Sequence, residues 1–387
     1  MTDALIHGDT LSSATMRHEV PLAIMDPFLF MEAAGRSIVL TNLLERDRIA
    51  RVLPHAELLV PDELGMDELI ERGLREDDLW NELAGRAVER AGVTRALVPS
   101  DFPIGLADHL RDSGVELVVD AAHFRARRRA KHPLELEGIR RAQRAAEAGL
   151  AAAAAQLRDA QVVGDRLELA GEVLTADALR DVIRATTAAH GAPSPPDIMV
   201  TTAWSGGGHD PGTGPLPANL PITIDLWPRD EETGCWADMT RTFVVGDVPD
   251  AVCDAEVVVR EALELARADV RPGITGKELY DIAAQRFEDA GYDTRRTAAP
   301  GEELTTGFYF SLGHGIGLEV HEAPGVGRTG DEPLVVGDVI ALEPGLEGMP
   351  FGGVRYEDLV LVTDDGFETL TDFPYDLDPV VSVSPAP

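Results

Sequence analysis

Short apolar runs alternate with amphipathic stretches through the first third of the chain. The runs RSIVLTN (36–42), RALVPS (95–100) and VELVVDA (115–121) read as strands, and MDELIERGLREDDLWNELAGRAVERAG (66–92) reads as helix. That rhythm predicts a small α/β domain over residues 1 to about 124. A long alanine-rich pattern follows, in which Pro133 fits a first helical position and the helix runs to about Leu157. The boundary falls at about 124–132, which divides the chain into domains 1–130 and 131–387. From Gly191 onward the pattern changes to proline, glycine and strand-like segments, with helices expected at DAEVVVREALELARADV (254–270) and GKELYDIAAQRFEDAG (276–291). The fold class is therefore α/β (α+β), with the irregular, strand-rich second part as the place for chemistry.

Composition narrows the partners. A length of 387 residues suits two domains with substantial cores, and 44% hydrophobic with 26% charged residues is ordinary globular usage. The formal net charge of −34 would repel a phosphate backbone or an anionic lipid surface, so neither nucleic acid nor membrane is expected as partner. Lys131 and Lys277 are the only lysines; the remaining basic side chains are arginine. Two cysteines, Cys235 and Cys253, form neither a disulfide framework nor a CxxC metal site, in keeping with a reducing compartment. The amino terminus lacks a signal-peptide pattern and no apolar run is long enough to span a bilayer, so a cytoplasmic chain beginning near Met1 is expected.

The chemistry starts with two hairpins. In PITIDLWPRDEETGCWADMTRTFVVG (221–246), strand-like runs flank the polar turn RDEETG. A turn centred between Glu231 and Glu232 sets Trp227 opposite Trp236 and Asp225 opposite Asp238. Downstream, ALEPGLEGMPFGGVRYEDLVLVT (341–363) turns near Pro350 and sets Glu343 opposite Glu357. Carboxylates facing one another about 5 Å apart across a ladder repel, and burying four of them is unfavourable unless cations intervene. GHGIGLEVHE (313–322) adds an imidazole, His314, on a backbone rich in glycine. Four carboxylates and one imidazole suffice for two divalent metals sharing bridging ligands. Oxygen-rich ligation without thiolate favours manganese, with cobalt, zinc or iron as substitutes.

Asp225, Asp238, His314, Glu343 and Glu357, in this order and set in GHGIGLEVHE, EPG and VRYED, resemble the pita-bread metallopeptidases of the Xaa-Pro peptidase type. The resemblance spans essentially the whole chain, with residues 1–130 similar to a creatinase/prolidase amino-terminal domain and 131–387 to the pita-bread catalytic domain. It implies that Asp225 chelates one metal and His314 and Glu343 the other, that Asp238 and Glu357 bridge them, and that Glu343 accepts the proton of the bridging water. His321 stands where the family has a histidine donating to the tetrahedral intermediate. His209, in SGGGHDPG, resembles the family's substrate-contacting histidine. Arg355, two residues from Glu357, should share its strand face and orient the carboxylates; Arg241 is a weaker candidate for a supporting partner. A homodimer is also implied.

Two features depart from the pattern, the first being the spacing of Asp225 and Asp238, thirteen residues and slightly more than the family's usual, which the longer turn RDEETG absorbs. Many Xaa-Pro peptidases carry a histidine four residues before the metal-binding one, where this chain has Phe310, which puts proline specificity in question. The expected activity is a dinuclear metal-dependent exopeptidase cutting short peptides at Xaa-Pro bonds, as aminopeptidase or dipeptidase. Relatives acting on non-peptide substrates, by ectoine hydrolysis or dimethylsulfoniopropionate lysis, are the alternative. A non-catalytic pita-bread binding module would have little reason to keep five clustered ligands.

Overall fold

The computed structural model describes residues 2–205 and 209–379. They fall into two compact units, one up to Arg128 and one from Arg129 onward. The first is built on a six-stranded mixed sheet of β1 (Ala4–Gly8), β2 (Phe28–Ala33), β3 (Arg36–Leu40), β4 (Glu57–Leu59), β5 (Arg95–Val98) and β6 (Glu116–Val119), in the order β4-β3-β2-β1-β5-β6. Its helices are α1 (Ala14–Glu19), α2 (Leu43–Val52), α3 (Met66–Glu71), α4 (Glu76–Ala91) and α5 (Ile104–Asp112), and α6 (Ala121–Arg129) leads out of it. The single helix expected over 66–92 is two helices, α3 and α4. The break falls at Gly73, whose φ of 93° lies in the left-handed region that ends helices cheaply only at glycine.

The second unit opens with α7 (Pro133–Asp159), where Pro133 occupies the first turn and the side chains of His132 and Glu135 complete a capping box. A small antiparallel meander, β7 (Gln161–Val163), β8 (Arg166–Leu169) and β9 (Glu172–Val173), connects to α8 (Ala176–Ala189), whose Thr175 cap accepts from the Ala178 amide. These helices cover the sheet β10 (Met199–Thr202), β11 (Ile222–Leu226) and β12 (Met239–Phe243). Their shared core includes Ala146, Leu150, Leu179, Ile183, Ile224 and Met239.

The arrangement then repeats. Helices α9 (Asp250–Ala268) and α10 (Gly276–Asp289) cover a five-stranded antiparallel sheet with the order β14-β13-β15-β18-β19. Its strands are β13 (Gly313–Gly315), β14 (Glu322–Val326), β15 (Val339–Leu342), β18 (Asp358–Thr363) and β19 (Gly366–Thr369); a short ribbon of β16 (Gly345–Met349) and β17 (Gly352–Arg355) stands apart. The core beneath contains Val259, Leu263, Tyr280, Phe287, Ile340 and Val360. Two helix pairs packed on two antiparallel sheets enclose strands that carry acidic residues at their ends.

Glycine lets β13 lie between its neighbours. A Cβ on Gly313 would come within 1.9 Å of the Ala341 carbonyl oxygen, and one on Gly315 within 2.4 Å of the Ala323 backbone. His314, between them, is thereby held against both β14 and β15.

Candidate metal centre

The first hairpin differs in register from the expected pairing. Asp225 faces Thr240, not Asp238, and the outlying bridge joins Arg229 to Trp236, so Trp227 does not oppose Trp236. The cause lies in the turn. Asp230 accepts hydrogen bonds from the amide and hydroxyl of Thr233, Gly234 takes φ 77°, and the Asp230 amide closes on the Cys235 carbonyl, moving the centre of the turn toward Thr233. A slip of two residues preserves the strand face, so Asp238 remains diagonal to Asp225 on the same side. In the second hairpin Leu342 pairs with Asp358 and Gly345 with Arg355, which leaves Glu343 and Glu357 between these pairs.

The five groups converge. Nε2 of His314 lies 3.7 Å from Asp238 Oδ2, 3.7 Å from Glu343 Oε1 and 4.0 Å from Glu357 Oε1. Ligand atoms of Asp225, Asp238 and Glu357 form one group within 4.8 Å of each other; His314, Glu343 and Glu357 form a second, and Asp238, His314 and His321 a third. The shared members knit these groups into a single cluster.

Its electrostatics suit a cation. Nδ1 of His314 donates to the Gly315 carbonyl at 3.1 Å, so Nε2 presents a lone pair to the carboxylates. Burial, helped by His321, pushes the imidazole down to about 4, so it is neutral at physiological pH. Oδ1 of Asp225 and Oε1 of Glu357 are buried and accept no hydrogen bond among the described residues. Burial raises the Asp238 and Glu357 carboxyls well above their usual range, and each is raised further by its acidic neighbours. Glu343 is pushed up to about 7, chiefly by burial and against the opposing charge of Arg355. Lone pairs facing lone pairs across a largely buried space are what divalent cations resolve, and an oxygen-rich set with one imidazole fits hard or borderline ions.

The surrounding groups hold the cluster in place. Arg355 ion-pairs with Asp225, its Nη1 lies 3.8 Å from Glu347 Oε1, and the carboxylates around it hold its charge despite burial. Its direct partner is therefore Asp225, across the interface between the two halves, and not Glu357, which does not share its strand because β17 ends at Arg355 and β18 begins at Asp358. Thr240 Oγ1 donates to Glu357 Oε2 at 2.8 Å. Arg241, 1% exposed, donates to the Glu357 carbonyl at 2.8 Å and to Asp358 Oδ1 at 2.9 Å. Thr240 and Glu347 escaped the sequence reading: a threonine in a β-rich run carries no signal of its own, and Glu347 is one acid among many.

Arg241→Leu is expected to cost about 3 kcal/mol of stability in denaturant unfolding. It would strip one of two arginines from the buried Asp358 carboxylate, leaving Arg267 at 2.8 Å to compensate in part.

The histidines differ in exposure. The His321 ring meets that of His314 edge-on at 4.2 Å between centroids, and its residue is exposed. Burial and the charge of His209 lower its basicity. His209 is exposed on the loop after β10; residues 206–208, the glycines preceding it, lie outside the described residues. Phe310 packs edge-on against Phe308 at 5.3 Å in the aromatic lining of the second half.

The chain is similar to known proteins in sequence and in fold. Over 137 residues the chain is 39% identical to the Xaa-Pro dipeptidase of Pyrococcus furiosus, a match covering 35% of each protein. Over 161 residues it is 35% identical to the Xaa-Pro dipeptidase of Lactobacillus delbrueckii subsp. lactis, covering 42% of this chain and 40% of the relative. These matches thus span well under half of either relative's length. In fold the likeness extends further. The prolidase structure from Pyrococcus horikoshii OT3 superposes with a TM-score of 0.74 at 22% identity, covering 97% of this chain and 95% of that one. An Xaa-Pro dipeptidase structure from Bacillus anthracis superposes with a TM-score of 0.76 at 20% identity, covering 97% and 94%. The fold is the pita-bread fold with an amino-terminal domain. Residues 137–364, which include every member of the acidic cluster, match metallopeptidase family M24. The chain belongs to that family.

Proposed function

We propose that the protein is a divalent-metal-dependent exopeptidase that hydrolyses short peptides at Xaa-Pro bonds, as a dipeptidase or aminopeptidase. The observation that carries this reading is the convergence of His314 with four carboxylates, two of whose buried oxygens accept no hydrogen bond among the described residues. The Xaa-Pro dipeptidases that match in sequence support the substrate class.

Asp225, Asp238, His314, Glu343 and Glu357 would hold two cations, manganese being favoured by the oxygen-rich donor set and cobalt, zinc or iron able to substitute. Such a pair supplies a water made acidic enough to attack at neutral pH and a Lewis acid for the scissile carbonyl. The chain's own groups do the rest. Glu343 takes the proton of the attacking water on a carboxylate oxygen and passes it to the departing amine. Arg355 holds Asp225 in place from behind. Neutral His321, at the exposed edge, donates a hydrogen bond to the oxygen that gains charge as the carbonyl becomes tetrahedral. His209, nearby on its loop, contacts the substrate.

Residues 1–130 form the creatinase/prolidase-type domain and 131–387 the catalytic one in this proposal, and the protein works as a cytoplasmic homodimer. Its strong negative charge suits a small peptide better than nucleic acid or a membrane surface. No helix among the described residues is long and apolar enough to cross a membrane.

His321→Asn is expected to lower kcat by about 10²–10³-fold with a smaller change in KM, because its hydrogen bond strengthens only in the transition state; steady-state kinetics on Ala-Pro would measure this. The function itself is tested with Ala-Pro, Gly-Pro, Met-Ala and longer Xaa-Pro peptides, with ectoine and dimethylsulfoniopropionate alongside, each with several metals. Turnover of Xaa-Pro peptides is the expected result. Turnover confined to a non-peptide compound would overturn the substrate class.

A further inference from the structure

Thirty-two of the 34 Lys and Arg residues are arginine, and the two lysines stand in opposite settings. Lys277 lies on the surface of α10, paired with Asp281 one turn on. Lys131 is different: it ion-pairs with Glu322, and each of the two side chains is only 2% exposed. The slot around them is narrow. A Cβ on Gly317 would fall 2.7 Å from Glu322 Oε1 and 2.9 Å from both Cε and Nζ of Lys131. A compact ammonium fits such a space, whereas the broad planar guanidinium does not.

Glu322 is the residue after His321. Its second carboxylate oxygen accepts from the Glu319 amide at 3.4 Å, the Gly317 amide donates to the Glu319 carbonyl at 3.1 Å, and the Trp236 amide donates to the Gly317 carbonyl at 2.8 Å. The loop that delivers His321 is therefore fastened at its base on Lys131 and on the hairpin that carries Asp238. The ring itself is exposed, and its neighbour across the site is the His314 ring.

We propose that Lys131 is a positioning residue for His321, acting through Glu322: the buried ion pair holds the 317–322 loop so that the exposed imidazole stays over the acidic cluster. The catalytic consequence rests on the role given to His321 above; the positional claim does not. Lys131→Met preserves length and removes the charge that pairs with Glu322, which releases the loop from this anchor. Glu322→Gln removes the charge from the other side.

The test combines kinetics on Ala-Pro with ¹⁵N-histidine spectra of the zinc-loaded protein, in which His321→Asn assigns the His321 signal. Both variants are expected to shift or broaden that signal and to lower kcat about 10–100-fold with KM within about two-fold of the parent. Lys131→Arg is expected not to restore either readout, and Lys277→Met to change neither. If Lys131→Met fails to fold, Glu322→Gln decides. Folded variants with an unmoved His321 signal, or with a lower melting temperature as their only change, overturn the proposal. A parent enzyme that cleaves no peptide overturns the function instead and leaves the ring signal to decide the position.

Discussion

Glu343→Gln is expected to lower kcat on Xaa-Pro substrates by about 10²–10⁴-fold at saturating metal, the range for loss of a general acid–base. Glutamine keeps the shape and one oxygen donor but cannot take a proton. The backbone at this position is secure, since the Glu343 amide donates to the Leu312 carbonyl at 2.7 Å and the residue directly follows the paired strand β15. The side chain, by contrast, lies in a setting that lifts its affinity for a proton to about 7 before any cation is bound, because burial penalises the charged form. Steady-state kinetics together with metal content check this result. A variant that holds its metal and keeps more than about a tenth of the activity would remove Glu343 from its role as base.

The second large effect is on stability and runs opposite to the usual behaviour of carboxylates. In metal-free protein Asp238, Glu343 and Glu357 bind protons more tightly folded than unfolded, because burial and mutual repulsion disfavour their charged forms. A group raised in this way favours the folded state in acid, and that contribution is lost as pH rises from the unfolded value to the folded one. For Glu343 the window runs from the ordinary 4.5 to about 7. The loss across it is on the order of 3 kcal/mol for the coupled carboxylates. A bound divalent cation favours the ionised carboxylates and removes the loss. Melting temperatures of chelator-treated and manganese-loaded protein are therefore expected to diverge as pH rises through this window. Parallel curves would mean that the carboxylates do not sit together unshielded.

Much of this was legible from patterns of short range. Pro133 and the alanine-rich run announce α7, the apolar alternation around Asp225 announces β11, and the apolar run after Glu357 announces β18. The glycines around His314 indicated close backbone approach, which Gly313 and Gly315 make beneath the Ala341 and Ala323 backbones. The register of the first hairpin was misread by two residues because the turn is organised by the side chain of Asp230 and not by symmetry of the sequence. The error was harmless to the site because strand faces repeat every second residue. Helix α8 escaped notice, although Thr175 and the spacing of Leu179, Arg180 and Ile183 mark it in retrospect. What no local pattern could reveal is pairing over long distances: Arg355 with Asp225, Thr240 with Glu357, and Lys131 with Glu322 join residues more than a hundred positions apart.

The central claim is that five side chains converge because divalent cations neutralise them. Equilibrium dialysis against manganese, followed by elemental analysis, tests it most directly when the parent is compared with an Asp238→Asn/Glu357→Gln variant. The account predicts about two ions per parent chain and a clear deficit in the variant. A folded parent that retains no manganese, cobalt, zinc or iron would contradict it.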